Sequence, residues 1–148
     1  MGVCQVPQGE QGIQGAEAII LVKSDVETLP TVLQKEWNDI LEISIHAPRD
    51  GSILIMTEGE VISSYWDLHT SPVEIGISTN LDSSDTIRMV KPSTSAFGES
   101  FSFSLTYLYN VAGPADHTYY LTGRSELGQG HRIQRPRITA IYFLQDIN

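Results

Sequence analysis

Between Ser100 and Tyr109 the chain alternates with a two-residue period: Phe101, Phe103, Leu105, Tyr107 and Tyr109 interleave with Ser100, Ser102, Ser104, Thr106 and Leu108. A strand sends successive side chains to opposite faces, so four aromatics and a leucine fall on one side and mostly small hydroxyls on the other. This stretch is predicted to be the central core strand of an antiparallel sheet. Shorter pieces repeat the theme. Ile43, Ile45 and Ala47 alternate with Ser44 and His46, and Val73, Ile75 and Ile77 alternate again. Ala18 to Val22, Ser52 to Thr57, Val61 to Leu68, Thr86 to Val90, His117 to Arg124 and Arg137 to Gln145 complete the expected strands. Pro48-Arg49-Asp50-Gly51 predicts a tight hairpin, its Asp-Gly pair supplying the positive φ. Glu58-Gly59-Glu60, Asn110 to Asp116 and Gly128-Gln129-Gly130 predict further turns. Thr28 to Asp39 is ambiguous: Val32, Leu33, Trp37, Ile40 and Leu41 have near-helical spacing, which allows one short helix or an irregular loop. Short strands closed by turns, without a sustained helix, predict an all-β sandwich or barrel.

The last expected strand is apolar on both sides. Ile138, Ala140, Tyr142 and Leu144 share one face, yet Ile141 and Phe143 occupy the other. One face of a two-layer sandwich should meet solvent, so a second apolar face implies a cover, and a partner subunit is the obvious one. Ser52 to Thr57 and the pair Tyr119/Tyr120 have the same property. Tyr119, Tyr120, Ile141 and Phe143 are therefore candidates for a subunit interface.

The N-terminal segment differs from the rest. Gly9, Gly12 and Gly15 stand at three-residue spacing in Gly-Glu-Gln, Gly-Ile-Gln, Gly-Ala-Glu. Glycine at every third position is what a triple helix requires, because only a hydrogen atom fits where three chains meet. Three triplets are too few to hold a triple helix alone, and a flexible leader is the plain alternative. The expected organisation is a stem over residues 1–17 and a β head over residues 18–148. Cys4, the only cysteine, is expected to be a free thiol or a link between copies.

Composition narrows the partners. A formal charge of −9, from 18 acidic and 9 basic residues with no basic run, argues against nucleic acid and anionic membrane. The longest apolar runs fall far short of the roughly 20 residues that span a bilayer. Met1-Gly2-Val3-Cys4 has neither the basic nor the apolar part of a secretory signal. The four histidines, His46, His69, His117 and His131, have no metal-ligand spacing. No nucleophile elbow, phosphate loop or dinucleotide fingerprint is present, so neither a catalytic site nor a cofactor is expected. Asp82 and Asp85 with Asn80, Ser83 and Ser84 read as a solvated turn rather than a calcium loop. Tyr65, Trp66, Asp67 and His69 form the best candidate binding surface, since aromatic platforms stack on sugars or protein while Asp and His give directional hydrogen bonds. The plain alternative is that Trp66 is buried in the core or an interface. Arg124, Arg132, Arg135 and Arg137 gather late in the chain, either to pair with acidic groups of a neighbour or to offset local negative charge.

The layout of a few Gly-X-Y triplets before a β head resembles the trimeric jelly-roll heads of collagen-like proteins, the tumour-necrosis-factor and complement type. The closing pattern is His117-Thr118-Tyr119-Tyr120-Leu121, Gly123-Arg124-Ser125 and Arg135-Pro136-Arg137-Ile138-Thr139-Ala140-Ile141. It is similar to the end of bacteriophage tail-fibre tips and capsid decoration or fibre proteins. The resemblance implies an antiparallel jelly-roll-like β-sandwich assembled as a homotrimer in a virion, decorating the capsid or forming a short fibre or spike. It also implies contact with the major capsid protein or another virion protein through the stem. The alternatives are a receptor- or glycan-binding tip that meets a host-surface glycan, and a cupin-like or carbohydrate-active enzyme. A complete tail fibre would carry a long shaft and a virion-attachment domain, so a decoration or spike unit with Met1 to Gly15 as stem is expected instead.

Overall fold

In a computed structural model the described residues are 20–27, 30–63, 72–81, 83–90, 100–125 and 131–144. They form nine strands: β1 Ile20–Val26, β2 Thr31–Val32, β3 Asn38–Ala47, β4 Gly51–Ser63, β5 Val73–Ser78, β6 Thr86–Val90, β7 Ser100–Val111, β8 Ala115–Ser125 and β9 His131–Phe143. One sheet runs β1-β9-β4-β7 with β2 also on β9, and the other runs β3-β8-β5-β6. All pairings are antiparallel. The chain is an all-β, antiparallel jelly-roll sandwich, and the stem predicted over residues 1–17 lies outside the described residues.

The core lies between the two sheets. Ile53, Ile55, Val61, Ile133, Ile138, Ala140 and Tyr142 face inward from one sheet; Val73, Ile75, Ile77, Tyr119 and Leu121 face them from the other. The period-2 patterns at Ile43 to Ala47, Val73 to Ile77 and Ile138 to Tyr142 thus mark inner faces, as expected. Tyr119 is 1% exposed and stacks on Tyr109 with ring centroids 4.6 Å apart, and its burial pushes the phenol pKa up to about 12. It fills the core of its own chain and so leaves the list of interface candidates. Between Thr28 and Asp39 the described residues hold β2 and a bend, and no helix. Leu33 is fully buried there, and a register shift between Asp39 and Leu41 turns the adjacent Ile40 and Leu41 both inward.

Three expectations change. First, Ser100 to Tyr109 lies on the edge of the described sheet, because among the described residues β7 pairs with β4 alone. Its aromatic face still packs inward at Phe103, but Tyr107 is 37% exposed. Second, Pro48 to Gly51 joins β3 in one sheet to β4 in the other, so it is a crossover and not a hairpin. Gly51 has no positive φ. A Cβ there would lie 2.7 Å from the Phe143 carbonyl oxygen and 2.9 Å from the Tyr142 ring, so close approach is what requires glycine. The Tyr142 hydroxyl donates to the Arg49 carbonyl oxygen at 3.1 Å, and an Asp50 carboxylate oxygen accepts from the Gly113 N–H at 3.0 Å, which fixes the crossover from both sides.

Third, Glu58-Gly59-Glu60 is not a turn, since β4 runs through it. Glu58 faces Arg137 and Glu60 faces Gln134, which leaves Arg135 and Pro136 opposite Gly59 as a bulge in β9. The bulge admits Pro136, which has no N–H for a central ladder, and holds Arg135 at φ 52. A Cβ on Gly59 would meet the Phe103 ring at 2.8 Å and Pro136 at 3.2 Å. Of the two readings of the late arginines, three of them follow the local one and pair within the chain: Arg124 with Glu74, Arg135 with Glu60 at 3.5 Å and Arg137 with Glu58 at 3.8 Å.

Two outcomes test this packing. Gly51→Ala is expected to lower stability by about 1–3 kcal/mol in urea unfolding, because the methyl group must displace backbone at Phe143; an unchanged midpoint would refute the close approach. His131, 4% exposed at the start of β9, has its imidazole pKa lowered by burial. The fold holds the neutral ring, so this stability is complete above the unfolded value of about 6.5 and is lost as pH falls below it. His131→Gln is expected to flatten the fall in stability between about pH 7 and pH 5, and a slope equal to that of the parent chain would exclude His131 as its source.

Candidate assembly surface

The two sheets present different outer faces. On the outside of the four-stranded sheet, polar side chains satisfy one another across strands. Ser44 and Thr118 hydroxyls lie 2.7 Å apart, His46 Nδ1 lies 2.7 Å from Asp116 Oδ1, and Ser84 and Thr122 hydroxyls lie 2.9 Å apart. The first two pairs are partly open to water, whereas Thr122 is fully buried beneath Ser84, which comes from the connection between β5 and β6.

The outside of the five-stranded sheet is apolar at its centre. Because Ala140 and Tyr142 point into the core, Ile141 and Phe143 point out, and the register fixes their neighbours. Val22 stands opposite Ile141, Ile141 opposite Leu54, and Leu54 opposite Leu108. One apolar row therefore crosses all four long strands. Val22 is 63% and Leu108 50% exposed, while Leu54 and Ile141 are half-buried by their neighbours. Phe143 stands on one side of the row, and on the other Met56 lies between Thr139 and Thr106. Beyond Met56 the surface turns polar: Arg137 faces Glu58 across the strands at 3.8 Å, and the Ser24 and Thr139 hydroxyls lie 3.1 Å apart. An apolar strip with a polar margin is the composition of a protein contact surface.

Of the interface candidates, Ile141 and Phe143 lie on this strip, whereas Tyr120 lies on the other sheet opposite Glu42 and Ser78. Tyr65, Trp66, Asp67 and His69, like Gly9, Gly12, Gly15 and Cys4, lie outside the described residues. Val22, Leu54, Met56 and Leu108 were not singled out one by one. The sequence does carry a sign of them, since Ile53 to Met56 is an unbroken apolar run and Leu108 is the one apolar residue among the hydroxyls of its strand face.

Titratable groups add structure rather than chemistry. The Asp85 carboxylate accepts from the Tyr109 hydroxyl at 2.6 Å and from the Thr79 N–H at 3.2 Å, tying β7 to the connection between β5 and β6. Burial, then the hydrogen bond to Asp85, pushes the Tyr109 phenol pKa up. Asp85 is thus a latch between the sheets, which extends the solvated-turn expectation. Among the described residues no three His, Cys, Asp or Glu side chains are grouped as metal ligands.

No family model and no curated protein sequence matches the chain. Among solved structures, a chain of the IBDV viral particle is similar with a TM-score of 0.49 at 10% identity, over 86% of this chain and 35% of that one. Eiger TNF from S. frugiperda is similar with a TM-score of 0.43 at 8% identity, over 80% of this chain and 96% of that one. The tripod (BppUct-A-L) from the baseplate of bacteriophage Tuc2009 has a TM-score of 0.51 at 11% identity, over 88% of this chain, which spans 65% of the tripod chain. The likeness to the tripod is one of fold, and the fold shared is the jelly-roll β-sandwich.

Proposed function

We propose that the protein is a structural component of a virion that assembles as a homotrimer, decorating a capsid or forming a short fibre or spike. The observation that carries this reading is the apolar row Val22, Ile141, Leu54, Leu108 on an otherwise acidic protein of charge −9. Fully burying one such side chain is worth about 1.5–3 kcal/mol, so a row of four rewards a neighbouring copy with the same face. Threefold symmetry is favoured by Gly9, Gly12 and Gly15, whose spacing suits three chains around one axis, and a closed ring leaves no such row open at its ends. The virion setting draws on the tripod, which is named as part of a phage baseplate.

In this reading the head assembles through the five-stranded sheet. Residues 1–17 form the stem that joins the three chains and meets the major capsid protein or another virion protein. The mechanism is burial of apolar surface between subunits, and the reading assigns the protein no catalysis and no cofactor.

Light scattering on the full chain tests it. The parent protein is expected at three times the 16.4 kDa chain mass, and Leu108→Glu with Val22→Glu is expected to lower it to the single-chain mass without loss of the β-sheet spectrum. Both positions are already open to solvent in one chain, so the charges leave the core intact. A monomeric parent protein refutes the reading, and a trimer unaffected by the two charges moves the interface off this face.

A further inference from the structure

The outer face of the four-stranded sheet changes character at the end remote from His46 and Asp116. Glu74 of β5 stands opposite Arg124 of β8 on one side and Met89 of β6 on the other. Asn38 faces Gly123 at the start of β3, which sets Trp37 beside Arg124. The Arg124 guanidinium carbon lies 4.5 Å from the centroid of the Trp37 ring, and its Nε donates to Glu74 Oε1 at 2.5 Å. Trp37, Arg124, Glu74 and Met89 thus form a row across the sheet, and with Lys35 and Pro72 the last three line a cleft of about 290 Å³.

The row holds a cation in a fixed direction. An arginine has five N–H donors in a planar fork, and Arg124 spends only Nε on Glu74. Among the described residues nothing bonds its two terminal amino groups, although the ring on one side and the carboxylate on the other fix the plane of the fork. The Arg124 and Glu74 side chains are 40% and 25% exposed, so the site is open to a ligand. Lys35 adds a second positive charge against the single carboxylate of Glu74, which makes the cleft cationic on a protein of charge −9.

These groups select the ligand. A fork of two terminal amino groups matches a planar carboxylate with two parallel hydrogen bonds. A bare anion would meet Glu74 at close range, whereas a ligand that carries hydroxyls beside its carboxylate offers them to the free oxygen of Glu74. Met89, 55% exposed, and Pro72 supply an apolar wall for the C–H face of a ring. The volume is at the lower end for ligand sites and suits a single ring. The geometry points to a binding site for an acidic monosaccharide unit, a pyranose bearing a carboxylate, with Arg124 on the carboxylate, Glu74 on a hydroxyl and Lys35 adding positive charge. The site lies on the sheet opposite to the apolar row and does not rest on the assembly reading.

Nuclear magnetic resonance titration of the full chain tests it, with D-glucuronate, D-glucose and acetate as probes. Glucuronate at up to about 20 mM is expected to shift the Trp37 indole and Arg124 Nε resonances saturably, since a millimolar constant needs only about 4 kcal/mol. Glucose and acetate are expected to act at least about tenfold more weakly. Arg124→Lys keeps the charge and removes the fork, and it is expected to lose about tenfold in glucuronate affinity while its mass by light scattering stays that of the parent protein. Absence of a saturable shift with glucuronate overturns the site. Acetate or glucose binding as tightly as glucuronate overturns the acidic-sugar assignment, and an Arg124→Lys variant that binds like the parent protein overturns the role of the fork.

Discussion

The pairing of β4 with β9, from Ser52 opposite Phe143 to Ser63 opposite His131, is the interaction on which the molecule depends. Each of these strands carries a further neighbour on its free side, β7 on β4 and β1 with β2 on β9, so the five-stranded sheet exists only if this central pair does. Its inner side chains Ile53, Ile55, Ile138, Ala140 and Tyr142 are fully buried and form the floor against which the second sheet packs. The bulge at Arg135 and Pro136 interrupts this long pair opposite Gly59. It raises local twist and bends β9 while Gly59 yields space on the partner strand.

The same pair also determines the outer surface. A two-residue period cannot place Ile53, Ile55, Ala140 and Tyr142 inside without sending Leu54, Met56, Ile141 and Phe143 outside. The four-stranded sheet has the same constraint and meets it with hydroxyls, His46 and Asp116. Similar geometry with different residues therefore makes the outer face polar around His46 and Asp116 and apolar at the centre of the five-stranded sheet. In the proposed assembly the acidic excess reinforces the division, because like charge opposes close approach elsewhere while the apolar strip favours it.

Much of this was legible in the residues, and the gaps have physical causes. Inner faces were readable wherever alternation was clean, as at Ile43 to Ala47 and Val73 to Ile77, because burial on one side alone writes the period. The double-sided character of β9 was readable too, since Ile141 and Phe143 break the polar alternation. Sheet membership was not. Asp50-Gly51 has the chemistry of a hairpin, yet the packing of Gly51 on Phe143 belongs to a strand nearly a hundred residues later, and no local pattern encodes that approach. Ser100 to Tyr109 has the strongest alternation in the chain and still lies at an edge, because periodicity reports which faces differ and says nothing of how many neighbours a strand has. Trp37 was read for its spacing with Ile40 and Leu41, whereas its position beside Arg124 follows from strand register.

Edge position gives β7 its own consequence. Among the described residues one side of its twelve-residue backbone has no strand partner, and an open ladder of that kind recruits other chains indiscriminately. Tyr109 answers part of it: the hydroxyl on Asp85 and the ring on Tyr119 hold the end of β7 against the other sheet. Leu108, beside it, faces the opposite way and brings the apolar row out to the rim of the sheet. A copy seated on that row therefore necessarily approaches the rim, so that one contact covers both the apolar face and the part of the edge beside Leu108. In the proposed assembly, covering this face and protecting this edge thus become one contact, prepared by two neighbouring residues that point in opposite directions.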